Sequence, residues 1–367
     1  MTDARKIAGR PADRARQVAL RLLARTILKR LVLGVVTLLA ISLVIYLSIE
    51  ALPGDFAQAM LGRSATPETV EAYRQALGLD QPALQRYLSW VAGIATGDLG
   101  HSLTSRPGAM REVADIIGPR LYNTFFLAAL TAVFAVPIAV GLGILTAIYR
   151  GSVFDRMTNA ITLMAISLPE FFIAYILCYL VISKDMFAAS QLGQLLPGWL
   201  SAAIQTALSI VPRLPTLSVI NETTPITEQI WKLMLPALTL FLVIAAHMMR
   251  MTRAVLINIL AMPFIEMARL KGIGRLRLVF LHALPNVWAP IATVVALNLA
   301  YLIVGVVVVE VVFVYPGIGQ LMVDAVRSRD VPVVQACALI FAGTFILLNL
   351  IADVIAIVTN PRLMYPK

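Results

Sequence analysis

Charge is what this sequence has least of. Asp, Glu, Lys and Arg make up 14% of its 367 residues against 59% hydrophobic, and mean hydropathy is +0.85. A soluble domain carries about a quarter charged residues. A water-soluble globule is therefore excluded, and apolar length rather than core volume sets the architecture. Cysteine is almost missing: Cys178 and Cys337 both lie inside apolar runs, which reads as packing and not as a disulfide framework. Histidine is limited to His101, His247 and His282, far apart and without metal-ligand spacing, so no metal site is expected. Six lysines are present and none ends a G-x-x-x-x-G-K, so any ATP-driven step needs another subunit. No nucleophile elbow, H-E-x-x-H or glycine-rich phosphate loop appears, and no catalytic residue is expected. Gly141-Leu142-Gly143 sits inside an apolar run and reads as a site of close helix packing.

What is present is a series of apolar runs of bilayer length, at 31–51, 121–149, 157–182, 233–251, 287–314 and 334–358. They predict an all-α polytopic membrane protein with six transmembrane helices. The first run follows basic residues and precedes Ala57-Gln58-Ala59, as in a signal peptide. Its apolar part is too long for a secretory h-region, so it reads as an uncleaved span. The organisation expected is a basic tail (1–30), the first span (31–51), a long mixed loop (52–120), a five-helix body (121–358) and a short end (359–367). Within the tail, VALRLLARTILKR reads as a basic amphipathic helix on the membrane surface. In the long loop, TPETVEAYRQALGL reads as a short helix capped by Thr66 and ended by Gly78.

Basic residues set the orientation. The tail, the 150–156 link, the 250–277 loop and the C-terminal end hold nineteen of the thirty Lys and Arg. The other loops are longer and hold eleven. The positive-inside rule places both termini and the 250–277 loop in the cytoplasm. The net charge of +10 is thereby a matter of topology, and no nucleic acid partner is expected.

One of these loops differs from the rest. Residues 266–286 read EMARLKGIGRLRLVFLHALPN, with Gly272 and Gly274 splitting the stretch into two short helical pieces. Apolar and charged residues alternate at helical spacing from Phe264 to Leu270. Such a piece lies along a membrane surface or docks into a partner's groove. Glu266, Ala268, Gly272, Leu284 and Pro285 match the EAA loop of bacterial ABC-importer membrane subunits, which this stretch resembles; Met267 replaces the first Ala. In that family the loop, here 262–286, forms the coupling helix that seats in the ATP-hydrolysing subunit.

Three further motifs narrow the resemblance to the dipeptide/oligopeptide/nickel permeases. They are Leu52-Pro53-Gly54-Asp55, Gly78-Leu79-Asp80 and Gly97-Asp98-Leu99-Gly100-His101-Ser102. Tyr315-Pro316-Gly317-Ile318-Gly319-Gln320, preceded by Glu310, is similar to a fourth family run. The resemblance implies a second permease subunit, related or identical, two ATP-binding subunits that hold the ATP, and a periplasmic solute-binding protein. Membrane lipid surrounds the whole. It also implies an inner-membrane location and no cofactor in this chain. The alternative from physics alone is an ion-coupled secondary transporter, leaning on intramembrane acids.

Those acids are Glu170, Glu310 and Asp353. Glu310 and Asp353 fall near the ends of their spans, where water or a loop cation is in reach, and read as structural. Glu170 falls near the bilayer centre, just after Pro169. It either faces the translocation path and attracts a cationic group or fixes helix packing.

Overall fold

The computed structural model describes residues 11–51, 57–58, 66–76, 80–105, 110–183, 194–209, 212–221 and 223–358. The motif at 52–55, residues 78–79 of the second motif and the 359–367 end lie outside the described residues. Among the described residues every regular element is a helix, apart from an isolated bridge between His101 and Glu112.

Helix α1 (Pro11–Glu50) runs unbroken for 40 residues. The sequence predicts a separate surface helix ahead of the first span. The two are one because no glycine or proline falls between Pro11 and Gly34. Helix α2 (Pro67–Ala76) begins as expected, with the Thr69 N–H donating to Thr66 Oγ1 at 3.3 Å. Helix α3 (Ala83–Thr96) lies against α1, where the hydroxyls of Ser42 and Tyr87 meet at 2.8 Å. Then come α4 (Val113–Ile148), α5 (Val153–Ser167), α6 (Glu170–Ser183), α7 (Gly198–Ser209), α8 (Ile226–Lys232) and α9 (Met234–Leu260). Helix α10 (Pro263–Leu270) precedes a helical lead-in, Arg275–Arg277 and the π-helical Leu278–Ala283, which flows into α11 (Leu284–Phe313). Helices α12 (Ile318–Arg327) and α13 (Val331–Val358) complete the described chain.

Five helical stretches are long and apolar enough to cross a membrane: Ile27–Ser48, Val113–Ile148, Met234–Leu260, Arg275–Phe313 and Val331–Val358. A sixth is obtained only by counting α5 and α6 together, and these are bent by 108°. The span read at 157–182 is therefore a broken one. Pro169 supplies no N–H and forces its predecessor out of the helical region, and Leu168 sits extended at φ −96°, ψ 136°.

Helices α4, α9 and α11 form the centre, with Leu127, Leu240, Met248, Val306 and Phe313 buried together. Helices α4 and α9 come close at Gly143, where an added Cβ would lie 2.7 Å from the Thr252 side chain. Gly143 thus has the packing role expected of it, whereas Gly141 has open space beside it. Cys178 and Cys337 are unpaired, and each packs in an apolar cluster, as read. Helix α1 lies on α13, and there Arg30 Nε meets Asp353 Oδ2 at 2.8 Å. The cation that Asp353 reaches is thus Arg30, which stands within α1 and not in a loop.

The bundle end opposite α10 is tied by two buried carboxylates. Asp330, 3% exposed, accepts the Ser102 hydroxyl, the Leu103 N–H at 3.0 Å and the Thr104 hydroxyl at 3.1 Å. The Gly97–Ser102 motif is thus a clasp between the long loop and the turn before α13. Glu310 was expected to reach water or a cation. It is instead fully buried and caps α12: Gly319 N–H donates to it at 2.7 Å, and Thr124 Oγ1 at 2.6 Å. A carboxylate at a helix N-terminus satisfies N–H groups that have no partner within the helix.

Candidate functional site

Helix α10 has two faces. Ile265 and Ala268 point inward, fully buried and 8% exposed respectively. They pack with Ala147 and Ile148 at the end of α4, Leu256 of α9, and Leu278, Val279, Ala283 and Leu284 of the lead-in and α11. Full burial of one Ile side chain stabilises by about 2 kcal/mol, enough to hold so short a helix in place. The opposite face leaves Phe264, Met267 and Leu270 in the open, at 45%, 57% and 76% exposure. Glu266 is exposed beside them.

The sequence pattern therefore separates in space. Ala268 and Leu284 belong to the inner packing, and Glu266 and Pro285 to the surface. Gly272 makes the turn. It lies in the left-handed region at φ 78°, its N–H donates to Arg269 O at 2.9 Å, and the Ile273 N–H donates to Ala268 O at 3.3 Å. This pair of bonds is a Schellman close, which favours glycine at that place because a Cβ is strained there.

Leu284-Pro285, which ends the motif in the sequence, does not end a helix. The helix continues from Arg275 to Phe313 without a break. Pro285 lies inside this continuous helix, directly after the π-turn over Leu278–Ala283, whose wider winding accommodates the proline. The span read from residue 287 begins twelve residues earlier.

A second clamp went unnoticed in the sequence. Asp155 in the first turn of α5 is 4% exposed and takes a forked bond from Arg253 of α9, Nε to Oδ1 at 2.8 Å and Nη2 to Oδ2 at 2.9 Å. Gly151 N–H and Asn159 Nδ2 donate to the same carboxylate, at 2.9 and 2.7 Å. Ser152 starts the helix by accepting the Asp155 N–H at 3.2 Å. A sole acid in a short basic link, three residues after a capping serine, was the available signal. The pair fixes the 150–156 link to the helix that carries α10.

Glu170 stands in the first turn of α6, at the bend and not within a continuous helix. It is half-buried, and its two oxygens occupy the space beside Gly305 of α11, each 2.9 Å from where a Cβ would stand. No hydrogen bond or ion pair reaches it among the described residues. Neither the other two intramembrane acids nor α10 meets it. No group of three or more His, Cys, Asp or Glu able to hold a metal occurs among the described residues.

Fold and site together define a multi-pass membrane protein that presents a short amphipathic helix at one end of its bundle. The family described as binding-protein-dependent transport system inner membrane component matches residues 139–365, and its N-terminal companion matches 23–108. The chain is also similar to the glutathione transport system permease protein GsiC of Escherichia coli strain K12, Shigella dysenteriae serotype 1 and Shigella flexneri serotype 5b. Each is 34% identical over 340 residues, covering 92% of this chain and 98% of the relative. The chain belongs to this family: it is an inner-membrane permease subunit of a binding-protein-dependent ABC importer, a transport component. The ion-coupled alternative is left without support.

Proposed function

We propose that this chain forms part of the translocation path for a peptide-like solute, handed over by a periplasmic binding protein and moved by ATP hydrolysis on two separate subunits. A second permease subunit, related or identical, completes the path. The chain itself holds no ATP. Both termini and α10 face the cytoplasm, as the distribution of basic residues requires, so α10 lies where an ATP-binding subunit can reach it. Alternating access follows when closure of the ATP-binding subunits moves α10, and α10 moves the ends of α4 and α9 on which it is packed.

The observation that carries this reading is the two-faced α10: Ile265 and Ala268 anchored within, Phe264, Met267 and Leu270 open without. An anchored helix with an exposed apolar face transmits a push to the bundle. Glutathione, a peptide, is named in the relatives' transport function, which supports a peptide-like solute here.

The test is photo-crosslinking from single positions of α10 with the ATP-binding subunits co-expressed. Positions 267 and 270 are expected to capture an ATP-binding subunit in a nucleotide-dependent way, and positions 265 and 268 to capture nothing. Absence of crosslinks from 267 and 270 in every nucleotide state would sink the coupling assignment.

A further inference from the structure

Three arginines from three separate elements line one cavity of about 260 Å³: Arg150 after α4, Arg269 on α10 and Arg275 at the start of the lead-in. All three are exposed, and none of their side chains forms an ion pair or hydrogen bond among the described residues. Glu266 is the sole acid between residues 262 and 286, and it does not line the cavity. Orientation by positive charge needs basic residues somewhere in these loops. It does not need them around one hollow, where their mutual repulsion is unrelieved.

The rest of the wall is apolar. Ile148, Leu278 and Val279 are nearly fully buried and form its floor, with Ile257 and Leu260 beside them. The place of the cavity is set by helix ends. Helix α4 ends at Ile148, α9 ends at Leu260, and the longest stretch begins at Arg275. Three membrane-crossing helices thus have an end around it, at the same end of the bundle as α10. The exposed face of α10, with Met267 and Leu270, is not part of its lining.

We propose that this cavity binds the phosphate of an anionic phospholipid, its glycerol and upper acyl carbons resting on the apolar floor. Basic pockets between membrane helices take anionic headgroups, each Lys or Arg adding its own attraction. A phosphate so held sets one negative charge among three positive ones and lowers their mutual repulsion. It also bridges α4, α10 and the lead-in, so lipid occupancy stiffens the seat of α10. An acidic segment of a partner protein would offer the charge but not the apolar portion that the floor calls for.

The experiment is native mass spectrometry of the full-length protein, purified with the subunits it assembles with. Phosphatidylglycerol, phosphatidylcholine and inorganic phosphate are added separately and in competition. Phosphatidylglycerol is expected to be retained in preference to phosphatidylcholine. Arg150→Gln and Arg275→Gln are expected to weaken that retention about fivefold each. Arg150→Lys keeps most of it, and Arg327→Gln, at the other end of the bundle, changes nothing. Equal retention of the two lipids overturns the proposal, as does retention indifferent to both glutamine variants. Displacement of the lipid by millimolar phosphate assigns the site to free phosphate. Loss of the lipid whenever the ATP-binding subunits are attached assigns it to a protein contact. The readout is bound lipid and is independent of which solute is carried.

Discussion

Glu310 fills the space in which Gly317 would carry a side chain: a Cβ built on Gly317 overlaps the Glu310 carboxylate. The glycine lets the start of α12 come down onto a carboxylate projecting from α11, and that carboxylate accepts the helix's free N–H groups. Gly317→Ala is expected to displace the cap and lower stability by about 1–3 kcal/mol, as overpacking of a dense core does. Thermal unfolding of the purified protein in detergent reads it. An unchanged midpoint would mean that Glu310 has room to move aside.

Asp155→Asn removes the charge that the Arg253 fork is built around. A fully buried pair broken on one side costs about 3–5 kcal/mol. The expected loss here is about 2 kcal/mol, because the Arg253 side chain keeps 23% of its surface in solvent. A double-mutant cycle with Arg253→Gln isolates the interaction. Additive losses would show that the two side chains act separately.

Gly272→Val forces a β-branched residue into the left-handed region, at about 1–2 kcal/mol or more of backbone strain. Open space surrounds the position, so the strain is of the backbone alone. Transport and binding-protein-stimulated ATP hydrolysis are expected to fall while membrane abundance stays normal. Gly272→Asn, which tolerates this conformation, is expected to retain more of both. Equal activity of the valine variant would show that the turn is not needed for coupling.

Reporter fusions test the orientation. Fusions after Ser102, Asn221 and Arg327 are expected to report the periplasm, and one after Arg269 the cytoplasm. A periplasmic signal after Arg269 would refute the placement of α10 and its coupling role together.

Glu170→Gln keeps shape and removes charge from the one carboxylate at the α5–α6 bend. An unpaired acid within a bilayer costs at least about 2.5 kcal/mol, so its retention beside Gly305 calls for a reason. If Glu170 faces the path, uptake of cationic peptides falls and uptake of neutral or anionic ones does not. Uptake is measured in vesicles with the partner subunits supplied. Equal uptake of all of them by the variant would remove the charge from any part in the path and leave Glu170 a packing role.

The class of this protein was legible from its sequence because membrane insertion is a local property. Runs of about twenty apolar residues with few charges can do little else, and basic loops sort by side without reference to the fold. The turn at Gly272 was legible for the same reason, since a left-handed residue after a short helix is set by its immediate neighbours. Distant partners decided the rest. Asp155 and Arg253 stand ninety-eight positions apart, Ser102 and Asp330 two hundred and twenty-eight. Nothing in either local stretch shows that such side chains meet. The bend at Pro169, the unbroken passage through Pro285 and the gathering of Arg150, Arg269 and Arg275 likewise depend on which helices lie side by side. The same holds for the inward turn of Ala268 beside the outward Met267. Helix periodicity says that two neighbours face differently, but only the packing of α10 against the ends of α4 and α9 determines which of them is covered.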